Sequence, residues 1–403
     1  IRILEGTLSS NATLNTRDVA GINNIAYIVG NLTIAPNAVL TIAPSVVIKF
    51  VNNGYSGIAV QGALIADGTA VQKIIFTSLP DDADGGDTNN DGNASQPARG
   101  NWNVIDFVSS SADTLNSFKN CEFRYGGSGY YAYNYTYGVI RVTNAKVVVD
   151  SSVIQQSNTT AIGVFGSANP IFTNIQINNI TGCPVAMSMF SNPTFTNISA
   201  LNIGYMALGI VPENYSVDDT IPMRNFAGYD NITYYLYTTN TVNSGTVLTI
   251  PAGLVFKNGD FTVNGALVVE GTKSNPVIFT DDADDTFGNP SDSKGDGSLT
   301  KPTIQGGGRI YFSDISNDSI SMVNHTIIRY REGGITTLSS SPKIINTTFD
   351  KNNWGVYLQG VSDPIIDTCV FSNLTYAPLR TSLVSYPRST ANNIISGSTY
   401  HAI

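Results

Sequence analysis

The sequence predicts an all-β solenoid, and three observations carry that prediction. The stretch from Leu40 to Gly92 occurs twice, short apolar runs follow one another without room for a helix, and a finer period in the low twenties runs through each copy. In the first copy LTIAPSVVIKF starts at Leu40, VQGALIADGT at Val60, IIFTS at Ile74 and DDADGGDTNNDG at Asp81. In the second, LTIPAGLVFK starts at Leu248, VNGALVVEGT at Val263, VIFT at Val277 and DDADD at Asp281. Leu248 minus Leu40 is 208, Gly265 minus Gly62 is 203, and Asp281 minus Asp81 is 200. An offset that drifts this slowly is that of two copies differing by small loop insertions. Units are expected at about 1–205 and 206–403.

The composition suits strands and turns. Of the 403 residues 13% are charged and 42% hydrophobic, with abundant Asn, Thr, Ser, Gly and β-branched residues. A net charge of −9 argues against nucleic acid, whose phosphates need Lys and Arg clusters. No basic run or amphipathic basic helix points to a membrane surface, and no apolar run is long enough to span one. The three cysteines, Cys121, Cys183 and Cys369, are too few for a disulfide framework and are expected as small core fillers.

Taken in order, Ile1 to Asn24 is polar and irregular, yet Arg17–Gly21 lines up with Arg224–Gly228, so the lead-in belongs to the repeat. From Ile25, runs such as NLTIAP and AVLTIAP alternate apolar and polar residues, the period-two mark of a half-buried strand. Gly, Pro, Asn or Asp splits these runs so evenly that strands bending at regular corners are expected. Later, Asn169-Pro170-Ile-Phe-Thr-Asn174 returns as Asn192-Pro193-Thr-Phe-Thr-Asn197, and 193 minus 170 is 23. In the other copy Pro342 returns as Pro364, 22 residues on. That period is one turn of a three-faced coil, in which no coil buries its inner face alone and the core is a continuous column of Ile, Val, Leu and Phe. A leucine-rich repeat has a similar period, but its spaced-Leu pattern is absent.

LTIAPSVVIKF, VQGALIADGT, IIFTS, DDADGGDTNNDG and then GNWNVIDF together resemble the right-handed parallel β-helix repeats of large secreted and cell-surface bacterial proteins. The resemblance spans nearly the whole chain. It implies a right-handed parallel β-helix of two tandem units forming one elongated rod, and an extracellular setting. It implies little about activity, because the fold hosts lyases, hydrolases, adhesins and passive stalks alike.

The acidic loop of each copy is the candidate site. Asp81, Asp82, Asp84, Asp87 and Asp91 crowd one short loop, and their mutual repulsion calls for a cation or for solvent. Asp87-Thr-Asn89-Asn-Asp91-Gly92 matches the start of a Ca²⁺ loop, where alternate side-chain oxygens converge on the ion and Gly allows the sharp turn. It departs from an EF-hand, since position twelve is Ala98 and no helix flanks it. The second copy offers Asp281, Asp282, Asp284 and Asp285, then Asp292 and Asp296, with Lys294 in the place of Asn89; an ammonium is no ligand, so a weaker site is expected there. The competing reading of both loops is a solvated acidic turn.

Tyr131, Tyr133, Tyr135 and Tyr137 alternate in an insertion that the second copy lacks, so an extended hairpin would put them on one face. They are read either as a platform for sugar rings or a protein, or as a loop packing on its own coils. Arg124 and Arg329 recur in Phe-Arg-Tyr and Ile-Arg-Tyr, and Lys49 and Lys257 recur likewise, which favours structural roles. For a polysaccharide lyase, Lys119, Arg124 and Arg141 would be the cationic candidates. No facing carboxylate pair marks a glycosidase, His325 and His401 form no constellation, and TxT does not recur at coil spacing as an ice-binding face would need.

The expectation is a non-catalytic, calcium-stabilised structural or adhesive module of a secreted or cell-surface bacterial protein. Its partners would be extracellular glycans or proteins and neighbouring repeats of the same chain, with neither nucleic acid nor membrane insertion. The alternatives are a carbohydrate-active enzyme, lyase-like, and a glycan-binding module using the tyrosine loop. Tyr400-His-Ala-Ile403 resembles Tyr205-Met-Ala-Leu208, so the chain is also expected to be cut from a longer array.

Overall fold

A computed structural model describes residues 1–129, 138–304, 308–389 and 392–399. Among these the chain is all strand and turn, a parallel β-solenoid. Among the described residues no helix is long and apolar enough to cross a membrane. Two compact units are present, 1–206 with 226–228, and 207–225 with 229–403.

One coil of the first unit shows how the sequence makes the fold. Asn31–Ile34, Val39–Ile42 and Val47–Phe50 are three strands joined by two short turns. The next coil, Gly57–Val60, Ala63–Asp67 and Ile74–Ser78, pairs with them in parallel as Asn31 with Gly57, Val39 with Ala63 and Val47 with Ile75. Because the register holds from coil to coil, like side chains stack. Ile34, Val60, Phe107, Val142, Val164 and Met187 form one inner row, and all are fully buried. Each such side chain contributes about 1.5–3 kcal/mol, and only when its neighbours above and below are in place.

The second unit repeats the scheme. Tyr234, Phe256, Phe279, Ile328, Phe349 and Phe371 form an inner row, with the rings of Phe256 and Phe279 stacked at 5.1 Å and those of Phe349 and Phe371 also at 5.1 Å. Corners fall at left-handed residues, as the Asn-rich punctuation predicts. Asn120, Asn144, Asn174, Asn197, Asn346 and Asn373 all have positive φ. Asparagine tolerates this backbone because its short side chain bonds locally. Several of these amides stack: Asn197 donates to Asn174, and Asn174 to Asp150. The three cysteines are buried and unbridged.

In each unit a long loop leaves the same step of the coil. It follows Ile74–Ser78 in the first unit, and the chain re-enters the coils at Ile105–Phe107. In the second it follows Val277–Thr280 and re-enters at Ile310–Phe312. These are the acidic loops.

Candidate cation-binding loops

Each loop folds back over the outer face of its own coils, so residues that would face solvent are covered. Lys49 is fully buried, and its ammonium donates to the Gly86 carbonyl at 2.5 Å; Lys257, equally buried, donates to Ser291 O at 2.6 Å. Burial pulls both ammonium pKa values below the ordinary lysine range, and the surrounding carboxylates pull the other way. Gly85 shows how close the loop lies. Its φ is +70°, and a Cβ there would stand 2.8 Å from the Ala26 methyl.

Two arginines anchor the loops. Arg124 bonds Asp84, stands 3.6 Å from Asp81 Oδ2, and has Glu122 Oε1 at 3.3 Å. Burial lowers its guanidinium pKa, but Asp84, Glu122 and Asp81 more than reverse the effect. Thr77 Oγ1 donates to the same Asp81 oxygen at 2.5 Å. In the second unit Thr280 Oγ1 donates to Asp284 Oδ2 at 2.6 Å, and Arg329 Nε lies 3.4 Å from that oxygen.

This corrects the alignment drawn from the sequence. The shared DDAD text sets Asp81 against Asp281, but the structural partner of Asp81 is Asp284, because the threonine and the arginine fix it. The offset is 203, and Ser78-Leu-Pro80 matches Asp281-Asp-Ala283. At that offset Phe287 stands where Asp84 stands. Arg329 accordingly lies over the Phe287 ring, 5.3 Å from its centre, where Arg124 has an ion pair.

With Asp81, Asp84 and Asp284 holding the fold, six of the other loop carboxylates form two clusters among the described residues. Ligand oxygens of Asp82, Asp87 and Asp91 lie within 4.8 Å of one another, as do those of Asp285, Asp292 and Asp296. The loops are built alike. Gly92 N donates to Asp87 Oδ2 at 2.9 Å, and Gly297 N to Asp292 Oδ2 at 2.9 Å. Ser95 Oγ donates to Asp91 Oδ2 at 2.5 Å, and Thr300 Oγ1 to Asp296 Oδ2 at 2.6 Å. That last bond, the largest cause, holds the Asp296 carboxyl below its usual range.

They differ in what is left over. In the first loop Asp82 Oδ1, Asn89 Oδ1 and Asp91 Oδ1 are buried atoms with no hydrogen-bond donor. A buried oxygen without a donor is unfavourable, and three in one loop fit a hard cation that takes oxygen ligands. In the second loop Ser298 Oγ donates to Asp285, and Lys294 pairs with Asp282 at 3.0 Å. Asp281 lies outside the cluster, and burial pushes its carboxyl up. Of Asp281, Asp282, Asp284 and Asp285, it is Asp285 that enters this cluster, and the offset of 203 from Asp82 identifies it.

Of the cations considered for catalysis, Arg141 donates through Nε and Nη2 to the two oxygens of Asp106, at 2.8 and 2.6 Å, and Arg124 is engaged as above. Lys119 sits at the exposed end of the strand Ser117–Lys119. Tyr131, Tyr133, Tyr135 and Tyr137 lie outside the described residues.

No family model and no curated protein matches the chain. Among solved structures it is similar to the catalytic domain of a GH87 alpha-1,3-glucanase in complex with tetrasaccharides, at 10% identity and a TM-score of 0.21. That similarity covers 99% of this chain and 64% of the other, so the chain spans less than two thirds of its length.

Proposed function

We propose that the chain is a calcium-stabilised β-solenoid module without catalytic activity, whose loops use the ion to hold down their acidic turns. The observation that carries this reading is the set of three donorless oxygens on Asp82, Asn89 and Asp91 beside Asp87. Asp82, Asp87, Asn89 and Asp91 would hold the ion in the first loop, and Asp285, Asp292 and Asp296 in the second. The engagement of Arg124 and Arg141 within the fold supports the non-catalytic part, since neither is free to neutralise a uronate. A secreted or cell-surface setting fits, because calcium sites of modest affinity fill only where the ion is abundant.

An ion bound only by the folded loop stabilises by mass action, about 2.7 kcal/mol at a hundred times its Kd. Millimolar Ca²⁺ is therefore expected to raise the melting temperature over that in chelator, and Asp87→Ala and Asp91→Ala each to remove most of the gain. Equal melting in chelator and calcium would reduce the loops to solvated acidic turns.

A carbohydrate-active enzyme is the second reading, and one observation favours it. A groove of about 770 Å³ runs beside the first acidic loop, with Asp84, Glu122, Arg124 and Lys73 in its lining. Sugar release from a glycan panel that Glu122→Gln abolishes would put this reading first.

A further inference from the structure

We propose that the second unit carries a binding site for an acidic saccharide on the outer face of its coils, formed by Trp354, Tyr357, Tyr376 and Arg380. It shares no residue with the acidic loops or with the tyrosine insertion. Trp354 opens the strand Trp354–Gln359 opposite Gly333. A Cβ at Gly333 would stand 2.5 Å from Trp354 Nε1, so the indole rests against bare backbone. Tyr357 faces outward in the row Tyr311, Thr336, Tyr357, Arg380. The Arg380 guanidinium lies 4.3 Å from the Tyr357 ring centre and 5.4 Å from that of Trp354. Tyr376, 52% exposed, has its ring 6.5 Å from that of Trp354 and tilted by 33°. The cavity between them measures about 470 Å³ and is lined by Trp354, Tyr376, Ala377, Leu379 and Arg380.

Two features specify the ligand. Two ring faces open at a shallow angle suit a flat body with C–H groups on its faces, which is a pyranose. Among the described residues no hydrogen bond or ion pair engages the Arg380 guanidinium, which is held by ring faces alone. Its planar fork of donors is therefore presented whole, and a carboxylate is the group it matches. A sugar with its carboxylate at the rim satisfies both features. An acidic peptide would meet the arginine but not the rings. The first unit lacks the site: Thr160 stands in the place of Trp354, Gly163 in that of Tyr357 and Ala186 in that of Arg380.

The test titrates the whole chain, in chelator so that the acidic loops cannot bridge through calcium, with three probes. These are a galacturonate tetramer, the neutral galactose tetramer and an oligoglutamate peptide, followed by calorimetry. The uronate should bind, and both other probes should bind at least about tenfold more weakly, the scale of one lost charge-assisted contact. Arg380→Gln should bring the uronate down to the neutral level, and Tyr376→Ala should weaken it by a similar factor. Both side chains are exposed, so neither variant is expected to disturb the core. Failure of the uronate to bind, equal binding of either other probe, or indifference to both substitutions would overturn the proposal. Because calcium is absent, none of these results bears on the loop sites.

Discussion

The two acidic loops stand on the same step of the coil, share one threonine–aspartate–arginine anchor, and differ in what else the arginine meets. In the first unit Arg124 is neutralised by Asp84, while in the second Arg329 lies on Phe287. Beneath them the cores differ in a matched way. Trp102 fills the first unit against Gly126, stacks on Phe50 at 4.3 Å and donates to Arg124 O at 2.7 Å. The residue after Tyr330, in the place of Gly126, is Arg331; fully buried, it donates to the carbonyls of Gly259 and Asn258. Burial pulls its guanidinium down to about 10. The solenoid therefore specifies a volume and a set of backbone groups to satisfy, and leaves the residue type open. An indole with one donor or a guanidinium with several will do.

The largest test of this view removes the two fillers. Trp102→Ala should cost about 3–5 kcal/mol as a cavity forms and Arg124 O loses its donor. Arg331→Ala should cost a similar amount by leaving buried carbonyls unpaired. Denaturant midpoints measure both, and a loss below about 1 kcal/mol at either would break the equivalence.

A smaller effect sharpens the loop comparison. Lys294→Asn gives the second loop the residue that Asn89 supplies to the first and removes an ammonium from beside the cluster. Tenfold tighter calcium binding would widen the difference between calcium and chelator by about 1.4 kcal/mol, whatever the lost Lys294–Asp282 pair costs in both. Melting curves read this directly, and an unchanged calcium increment would show that Lys294 does not separate the loops.

The smallest concerns Asp281, which stands where the first unit has Ser78. Burial, the largest cause, raises its folded pKa above 3.8. Between 3.8 and the raised value the folded chain holds more protons than the unfolded one, so stability falls as pH rises through that window. Its charge therefore costs stability at neutral pH and none below the unfolded value. Asp281→Asn keeps an acceptor for Ala283 N and should raise the melting temperature slightly at pH 7, with no gain near pH 3. A gain that persists in acid would trace to something other than this titration.

Much of the fold was legible because the coil period and the alternation of apolar residues are both consequences of stacking in register. Asn169-Pro170 and Asn192-Pro193 are one corner seen twice. The candidate site was only half legible. Asp87, Asn89 and Asp91 are close in sequence and declare themselves, whereas the roles of Asp81 and Asp284 depend on Thr77, Thr280 and two arginines more than forty residues away. Identical text was a poorer guide than a hydrogen bond. The aromatic site went unread because its members sit on different coils. Yet Tyr376 follows Trp354 by 22 residues and Arg380 follows Tyr357 by 23, so the coil period itself was the signal that could have found it.

The corner amides have a consequence of another kind. Asn197 gives a hydrogen to Asn174, Asn174 gives one to Asp150, and Asp150 can only receive. In the other unit Asn373 gives to Asp350 in the same sense. Such a row has a head and a tail. A coil laid down one residue out of step would leave the corner Asn without its partner and turn the coil's apolar side chains outward. A slip of two residues would keep the apolar face inward, because one Ile stacks on another almost as well as on a Val, and the corner row would still register it. The rows of amides thus help to set each turn in register on the last.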